Sequence, residues 1–296
     1  MISILIPTYN YNVNLLFQAL KLELTSISID FEIICYEDGS TKHVEDNGLV
    51  IRTISKAKHI ISKVNRGRIT TRQSLAEMAK YDWLLFLDAD VIPENSTFIS
   101  DYIKFINSNY DAIYGGCSYA IEKPDQQYIL RWKYGKNYEN VDAELRNKSP
   151  YKVAISGNFL IKKTTFLNIN SKVENEGYGY DNYVAAFMKA NHVKIIHINN
   201  NATHIGLDNN ITFLNKTEKA VKTLYQFNLK HNTISTDNSL LEFYRKLASF
   251  RLTKVIGGLF KLSKTSIKKQ LLSGNPNLTL LQFYKLGYLC TLTSSK

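Results

Sequence analysis

Residues 83 to 87 read Trp83-Leu84-Leu85-Phe86-Leu87, five apolar side chains without a break, and they run straight into Asp88-Ala89-Asp90. A strand with one wet face alternates polar and apolar residues, whereas a strand apolar at every position has both faces covered. Covering both faces of so short a run calls for a sheet between layers of helices, the α/β arrangement. Neighbouring segments agree. Ile2 to Ile6 is a second apolar run, closed by Pro7, and Glu32 to Tyr36 a third, closed by Glu37-Asp38-Gly39-Ser40. Helical spacing covers Asn14 to Leu24 and Ile69 to Tyr81. Beyond Asp90 the pattern predicts helices over Thr97 to Asn107, Asp181 to Asn191 and Ile211 to Lys230, and strands over Asp111 to Gly115, Lys152 to Lys162 and Val193 to Ile198. The expectation is one α/β domain over residues 1–230, with the polar stretch His231 to Asn238 opening a helical extension over 231–296.

Composition removes the alternatives to a folded body. With 44% hydrophobic and 21% charged residues over 296 positions, the chain is neither a disordered segment nor a disulfide-stapled miniprotein. Cys35, Cys117 and Cys290 are odd in number and far apart, so they offer no disulfide framework and no metal-ligand spacing, which fits a reducing, cytoplasmic setting. Met1 to Pro7 has no basic stretch ahead of a long apolar one, and no run of ~18 apolar residues occurs, so neither a signal peptide nor a membrane span is expected. A net charge of +11 raises the question of a polyanionic partner. Its distribution is uneven: residues 240 to 296 hold ten cations and the single acid Glu242, a net +9, which leaves +2 for the first 239. A nearly neutral body with a basic tail and no recognisable nucleic-acid module argues against nucleic acid as a partner.

Ligands of open α/β sheets collect outside the carboxyl ends of the strands. Three polar clusters stand at such ends: Pro7-Thr8-Tyr9-Asn10, Glu37-Asp38-Gly39-Ser40 and Asp88-Ala89-Asp90. In extended chain Asp88 and Asp90 would point the same way, and a divalent cation would relieve their repulsion. Oxygen donors without cysteine or clustered histidine favour Mg²⁺ or Mn²⁺ over zinc. The plainer role for these acids is to cap the next helix near Glu94 and Asn95. Asn65 to Arg72 puts Gly67 at a helix start and Arg68 and Arg72 four residues apart on one face, which is either a diphosphate cradle or a solvated basic helix start.

In order and spacing, these three clusters, Asn65 through Arg72, and the run Leu85-Phe86-Leu87 ahead of Asp88 resemble the successive motifs of the family-two glycosyltransferases over roughly residues 1 to 205. The resemblance implies the GT-A fold, a mixed sheet with Rossmann-like nucleotide binding, a nucleotide-sugar donor, usually a uridine diphosphate sugar, and inversion at the anomeric carbon. By matching positions it implies that Thr8 and Tyr9, after Pro7, flank the base, that Asp38 hydrogen-bonds the uracil, and that Arg72, with Arg68, faces base or diphosphate. It further implies that Asp88, beside Ala89, approaches the ribose, that Asp90 with Asp88 holds Mn²⁺ or Mg²⁺, and that Gly157 and Asn158 border the donor sugar. His204 matches a position where related enzymes sometimes carry a third metal ligand; a structural histidine is the other reading.

Inversion is a single displacement from the face opposite the leaving group, so a carboxylate has to take the proton of the acceptor hydroxyl. Glu174 to Asn182 resembles the Gly-aromatic-Gly-x-Glu-Asp acceptor loop of such enzymes, with a departure: the expected pair is either Tyr180-Asp181 or Asp181-Asn182. Asp181 is the expected base, with Glu176 in reserve; were Asn182 at the position of the base, the chain would bind a nucleotide sugar without turnover. A haloacid-dehalogenase-type phosphatase also follows a strand with Asp-x-Asp, but on its first strand, not after about 85 residues. In the tail, Leu241, Tyr244, Ala248, Leu252, Val255, Leu259 and Leu262 form an apolar stripe opposite Lys246, Lys254, Lys261, Lys264 and Lys268, with a helix break expected at Gly257-Gly258. Such a helix either packs on the body or makes a peripheral membrane contact over 240–269, at the inner face of the cytoplasmic membrane. In the second case the acceptor would be a lipid-linked glycan of surface polysaccharide or lipopolysaccharide synthesis.

Overall fold

A computed structural model of the chain describes residues 1–152, 156–173 and 177–293. Its first half alternates strand and helix: β1 (Ile2–Thr8), α1 (Asn14–Leu24), β2 (Phe31–Asp38), α2 (Val44–Ile51), β3 (Ala57–Ser62), α3 (Arg68–Met78) and β4 (Trp83–Leu87). Next come β5 (Val91–Pro93), α4 (Phe98–Ile103), β6 (Ala112–Tyr114), β7 (Cys117–Ser118), α5 (Ile129–Tyr138) and α6 (Ala143–Asn147). β8 (Asn158–Lys162), α7 (Lys163–Asn170), α8 (Asp181–Ala190), β9 (Ile195–His197), β10 (Ala202–His204) and α9 (Asn210–Lys230) complete the body. The tail folds as α10 (Ser239–Ser249), α11 (Thr253–Leu271) and α12 (Leu278–Thr293).

Seven strands form the main sheet in the order β3-β2-β1-β4-β8-β6-β9; β1 to β4 are parallel, and β8 lies antiparallel to both β4 and β6. This is the mixed α/β sheet of a GT-A fold. Every residue of β4 is buried. Leu84 and Phe86 pack with Leu75 of α3, Phe166 of α7 and Tyr183 of α8, while Leu85 and Leu87 pack with Leu16 and Phe17 of α1 and Phe98 of α4. At roughly 2 kcal/mol for each fully buried large apolar side chain, this one strand ties both helical layers to the sheet. The edge strand β3 escapes notice in the sequence because its side chains are half-exposed and carry no apolar run. Arg146, fully buried, donates to the carbonyls of Tyr114 and Ile198 and to Nδ1 of His197, whose Nε2 faces the Pro150 carbonyl at 2.9 Å. His197 is thus a packing residue; burial above all, then Arg146, pushes it down to about 4.

In the tail the chain breaks elsewhere than at the glycine pair. It turns at Phe250–Leu252, with Arg251 in the left-handed region at φ +60°, and α11 runs unbroken through Gly257 and Gly258. The physical reason is packing on α12: a Cβ on Gly287 would lie 2.5 Å from the Phe260 side chain, whereas one on Gly257 would make ordinary contact with the Cys290 carbonyl at 3.4 Å and one on Gly258 would meet open space. Gly287 therefore lets α11 and α12 approach closely, and that packing outweighs what Gly257 and Gly258 cost in helix propensity. Leu241, Tyr244, Leu289 and Cys290 join the core beneath the sheet, and Phe260, Ile267 and Tyr284 pack with Leu130 and Phe213 of the body. Among the described residues no helix is long and apolar enough to cross a membrane.

Candidate active site

Hydrogen bonds knit the strand-end motifs together. Asp38 accepts the backbone N–H groups of Arg66 at 2.8 Å and Gly67 at 2.9 Å, one on each carboxylate oxygen, and so fixes the loop that starts α3. Gly39, at φ +71°, stands where a Cβ would be 2.4 Å from the amide nitrogen of Asn65, so only glycine lets these two loops touch. Asn10 accepts from the amides of Thr41 and Lys42 and donates its own N–H to Ser40. Thr8 is buried with its hydroxyl 3.3 Å from the Cys35 sulfur, turned into the sheet, whereas Tyr9 is 56% exposed and lines the cavity described below together with Tyr11. Pro7 lies in β1 opposite Tyr36.

The two aspartates after β4 part company. The chain turns at Ala89-Asp90 instead of extending, so the carboxylates do not share one direction. Asp88 is paired: Arg68 donates to it at 2.9 Å and Arg72 at 2.6 Å, and both arginines also hold Ser156. Burial works against the Asp88 charge, but Arg68 and Arg72 more than offset it and hold the carboxyl below the ordinary range. Gly157 makes room for this cluster, since a Cβ there would lie 2.8 Å from Asp88 Oδ2. Gly157, which the resemblance sets at the donor sugar, thus has Asp88 as its close neighbour. Arg72 is buried over the rings of Phe86 and Phe159.

Asp90 belongs to a different group. β10 pairs antiparallel with β5, His204 opposite Val91, and this register brings His204 Nε2 to 3.2 Å from Asp90 Oδ2. Two neighbouring ligands on an octahedral ion, each at ~2.1 Å, stand about 3 Å apart, so this spacing suits a shared cation. Among the described residues Nδ1 of His204, which is buried, has no partner, so the ring is oriented by what Nε2 meets. Gly206 completes the cradle: a Cβ there would lie 2.4 Å from Asp90 Oδ2. Carboxylate oxygen plus imidazole nitrogen suits Mn²⁺ well and Mg²⁺ acceptably. Asp88, engaged by two guanidiniums, has less to offer a metal than Asp90 has.

Asp90, His204, Asp88, Arg68, Gly157 and Asp181 all line one cavity of about 680 Å³. Asp181 is the first residue of α8; the N-cap is Tyr180, and no side-chain cap bond is made there, so Asp181 is not spent on capping. Asn182 is committed to structure, donating to the Gly179 carbonyl and accepting from Asn238 of the tail. Asn158 lines the cavity too, yet its amide is used up internally by Tyr102, Gly116 and Asn200. Glu176 lies outside the described residues. The sequence reading missed Tyr119, Arg131, Glu139, Tyr178 and Lys216, which also line the cavity. Arg131 bridges Glu139 and the Tyr119 hydroxyl, and that hydroxyl donates to Glu139. Tyr119, Arg131 and Glu139 come from a stretch with no periodic or motif signal, whereas Tyr178 lies in the acceptor-like loop and Lys216 in a helix read from its spacing; only the fold gathers the five.

Comparison with known proteins points one way. The sequence pattern described as Glycosyl transferase family 2 matches residues 3–169, more than half of the chain. CsbB of Bacillus subtilis (strain 168), a protein whose glycosyltransferase assignment is itself an inference, is 32% identical over 120 residues; the match covers 38% of this chain and 35% of CsbB, about a third of that relative's length. Among solved structures, the mannosyltransferase PcManGT of Pyrobaculum calidifontis, in complex with GDP-Man and Mn²⁺, superposes with a TM-score of 0.51 at 12% identity, over 74% of this chain and 61% of that one. Glucosyl-3-phosphoglycerate synthase of Mycobacterium tuberculosis, in complex with Mn²⁺, uridine diphosphate and glucosyl-3-phosphoglycerate, gives 0.52 at 15% identity, over 76% and 79%.

Proposed function

The chain belongs to glycosyl transferase family 2, and from that membership we propose that it is a metal-dependent inverting glycosyltransferase moving one sugar from a uridine diphosphate donor to a glycan hydroxyl. The observation that carries this reading is the meeting, in one cavity, of the Asp90–His204 pair, the Arg68–Asp88 cluster and the uncapped carboxylate of Asp181. Tyr9 and Tyr11 offer rings to the base, and Arg68 offers guanidinium N–H groups to the diphosphate. Asp90 and His204 hold the cation, which when bound supplies a Lewis acid for the departing diphosphate. Asp181 takes the proton of the acceptor hydroxyl as the new bond forms on the face opposite the leaving group. A thermal-shift panel of nucleotide sugars tests the donor assignment: with Mn²⁺ present, a uridine diphosphate sugar near 100 Kd should raise Tm by roughly 5 °C. If no nucleotide sugar moves Tm, with or without Mn²⁺, the assignment is lost.

The same reading extends to the tail as a peripheral membrane contact, with a lipid-linked glycan of surface polysaccharide assembly as acceptor. Support comes from Phe243, Phe250, Leu252, Val255, Leu259 and Leu262, all large, apolar and exposed, set among exposed Lys246, Arg251, Lys254 and Lys261. Cations beside an anionic leaflet contribute ~1 kcal/mol each. The protein should sediment with phosphatidylglycerol vesicles and not with phosphatidylcholine ones, and the double variant Leu259→Asp, Leu262→Asp should stay in solution. A wild-type chain that ignores both vesicle types at low salt removes the membrane contact.

A further inference from the structure

A second cleft, of about 380 Å³, opens between the body and the tail. It shares Tyr134, Tyr138, Tyr178 and Asp181 with the donor cavity, so the two are continuous at the carboxylate assigned above as base. Its far wall is built by the extension: Ser239 and Leu240 from α10, Gln282 and Lys285 from α12. Three tyrosine rings lining one cleft offer the flat, amphipathic surface on which sugar rings stack.

Lys285 sets the character of this cleft. Its Nζ lies 3.2 Å from the Tyr134 hydroxyl and 4.2 Å from the centre of that ring. Among the described residues no carboxylate comes within ion-pair distance of it; of the three acids that line the cleft, Glu139 is committed to Arg131 and Tyr119 and Asp237 to Lys189, and the third, Asp181, is the carboxylate at the junction with the donor cavity. Burial lowers the Lys285 ammonium to about 8, the mark of a cation held away from water. A second cation, Lys152, lines the same cleft. A partly dry cleft that keeps an unneutralised ammonium beside aromatic rings is matched by a ligand carrying both a sugar ring and a negative charge.

We propose that this cleft is the acceptor subsite and that the acceptor is an anionic saccharide, its carboxylate or phosphate set against Lys285 and its rings against Tyr134, Tyr138 and Tyr178. The assignment rests on the transferase reading, because it takes Asp181 as the junction between donor and acceptor. It gives the extension a role in substrate selection that is separate from any membrane contact: α12 supplies the charge that selects the acceptor, and α10 closes the cleft.

The test is a binding titration of the full chain loaded with uridine diphosphate and Mn²⁺, using matched probes. Tetragalacturonate against galactotetraose reads a carboxylate, and trehalose 6-phosphate against trehalose reads a phosphate. The anionic member of at least one pair should bind about tenfold more tightly or better. Lys285→Met, which keeps the aliphatic stem, should erase that preference, Lys285→Arg should preserve it, and uridine diphosphate binding should be unchanged in both. Ser239→Trp, which fills the cleft from its other wall, should abolish binding of every saccharide probe. Equal affinities within both pairs, including no binding by either member, overturn the proposal, as does a preference that survives Lys285→Met. If uridine diphosphate with Mn²⁺ does not bind the wild-type chain, the transferase reading falls and takes this subsite with it, an outcome told apart by the nucleotide signal alone.

Discussion

Replacing Asp90 by alanine should lower turnover at least ~10³-fold, about 4 kcal/mol of transition-state stabilisation, and abolish the effect of Mn²⁺ on donor binding. The size of the effect follows from where charge builds. In the proposed reaction the departing diphosphate gains negative charge as the glycosyl–phosphate bond breaks, and Asp90 with His204, 3.2 Å apart in the cavity, is the pair proposed to hold a cation there. The fold should survive, because the other acid after β4, Asp88, keeps Arg68 and Arg72 satisfied whatever stands at position 90. Asp90→Asn separates charge from shape: the amide fits the cradle beside Gly206 but is a poor metal ligand, so it should resemble the alanine variant. Turnover that stays metal-dependent and near wild-type in Asp90→Ala would remove Asp90 from the centre of the chemistry.

Asp181→Asn should split binding from chemistry. General-base removal costs about 10² to 10⁴ in kcat, while Kd for the nucleotide should change little, since the base acts on the acceptor and not on the donor. Asp181 is well suited to such a test because it caps nothing and lines both the donor cavity and the cleft beneath the tail. Its neighbour cannot substitute for it: Asn182 is held by Gly179 and Asn238, and an amide cannot take a proton. Unchanged kcat in Asp181→Asn would hand the role to another carboxylate, with Glu176 the next to test.

Parts of this molecule were legible in the sequence because they are local. The apolar run of β4 could be covered only by two layers, and the turn chemistry of Glu37-Asp38-Gly39-Ser40 needs a glycine at φ +71° against Asn65. What the sequence hid is set by pairs distant along the chain. Asp88 and Asp90 look like one site at a spacing of two, but a turn divides them, one to the arginines of α3 and the other to a histidine more than a hundred residues later. Gly257 and Gly258 read as a break because the helix that α11 packs on is α12, whose Cys290, beside Gly257, lies over thirty residues away. Tyr119, Arg131 and Glu139 form a tight cluster with no spacing that announces it.

The cavity's own charge gives the +11 chain a local character opposite to its overall one. Four fixed cations line it, Arg68, Arg131, Lys152 and Lys216, against five acids, Asp88, Asp90, Glu139, Asp181 and Asp208. A chamber of this kind does not attract a bare nucleoside diphosphate from a distance, because every guanidinium in it already has its resident counter-ion. On the proposed function the nucleotide and the divalent ion would enter best as one nearly neutral parcel, and the surplus positive charge of the protein lies outside the cavity.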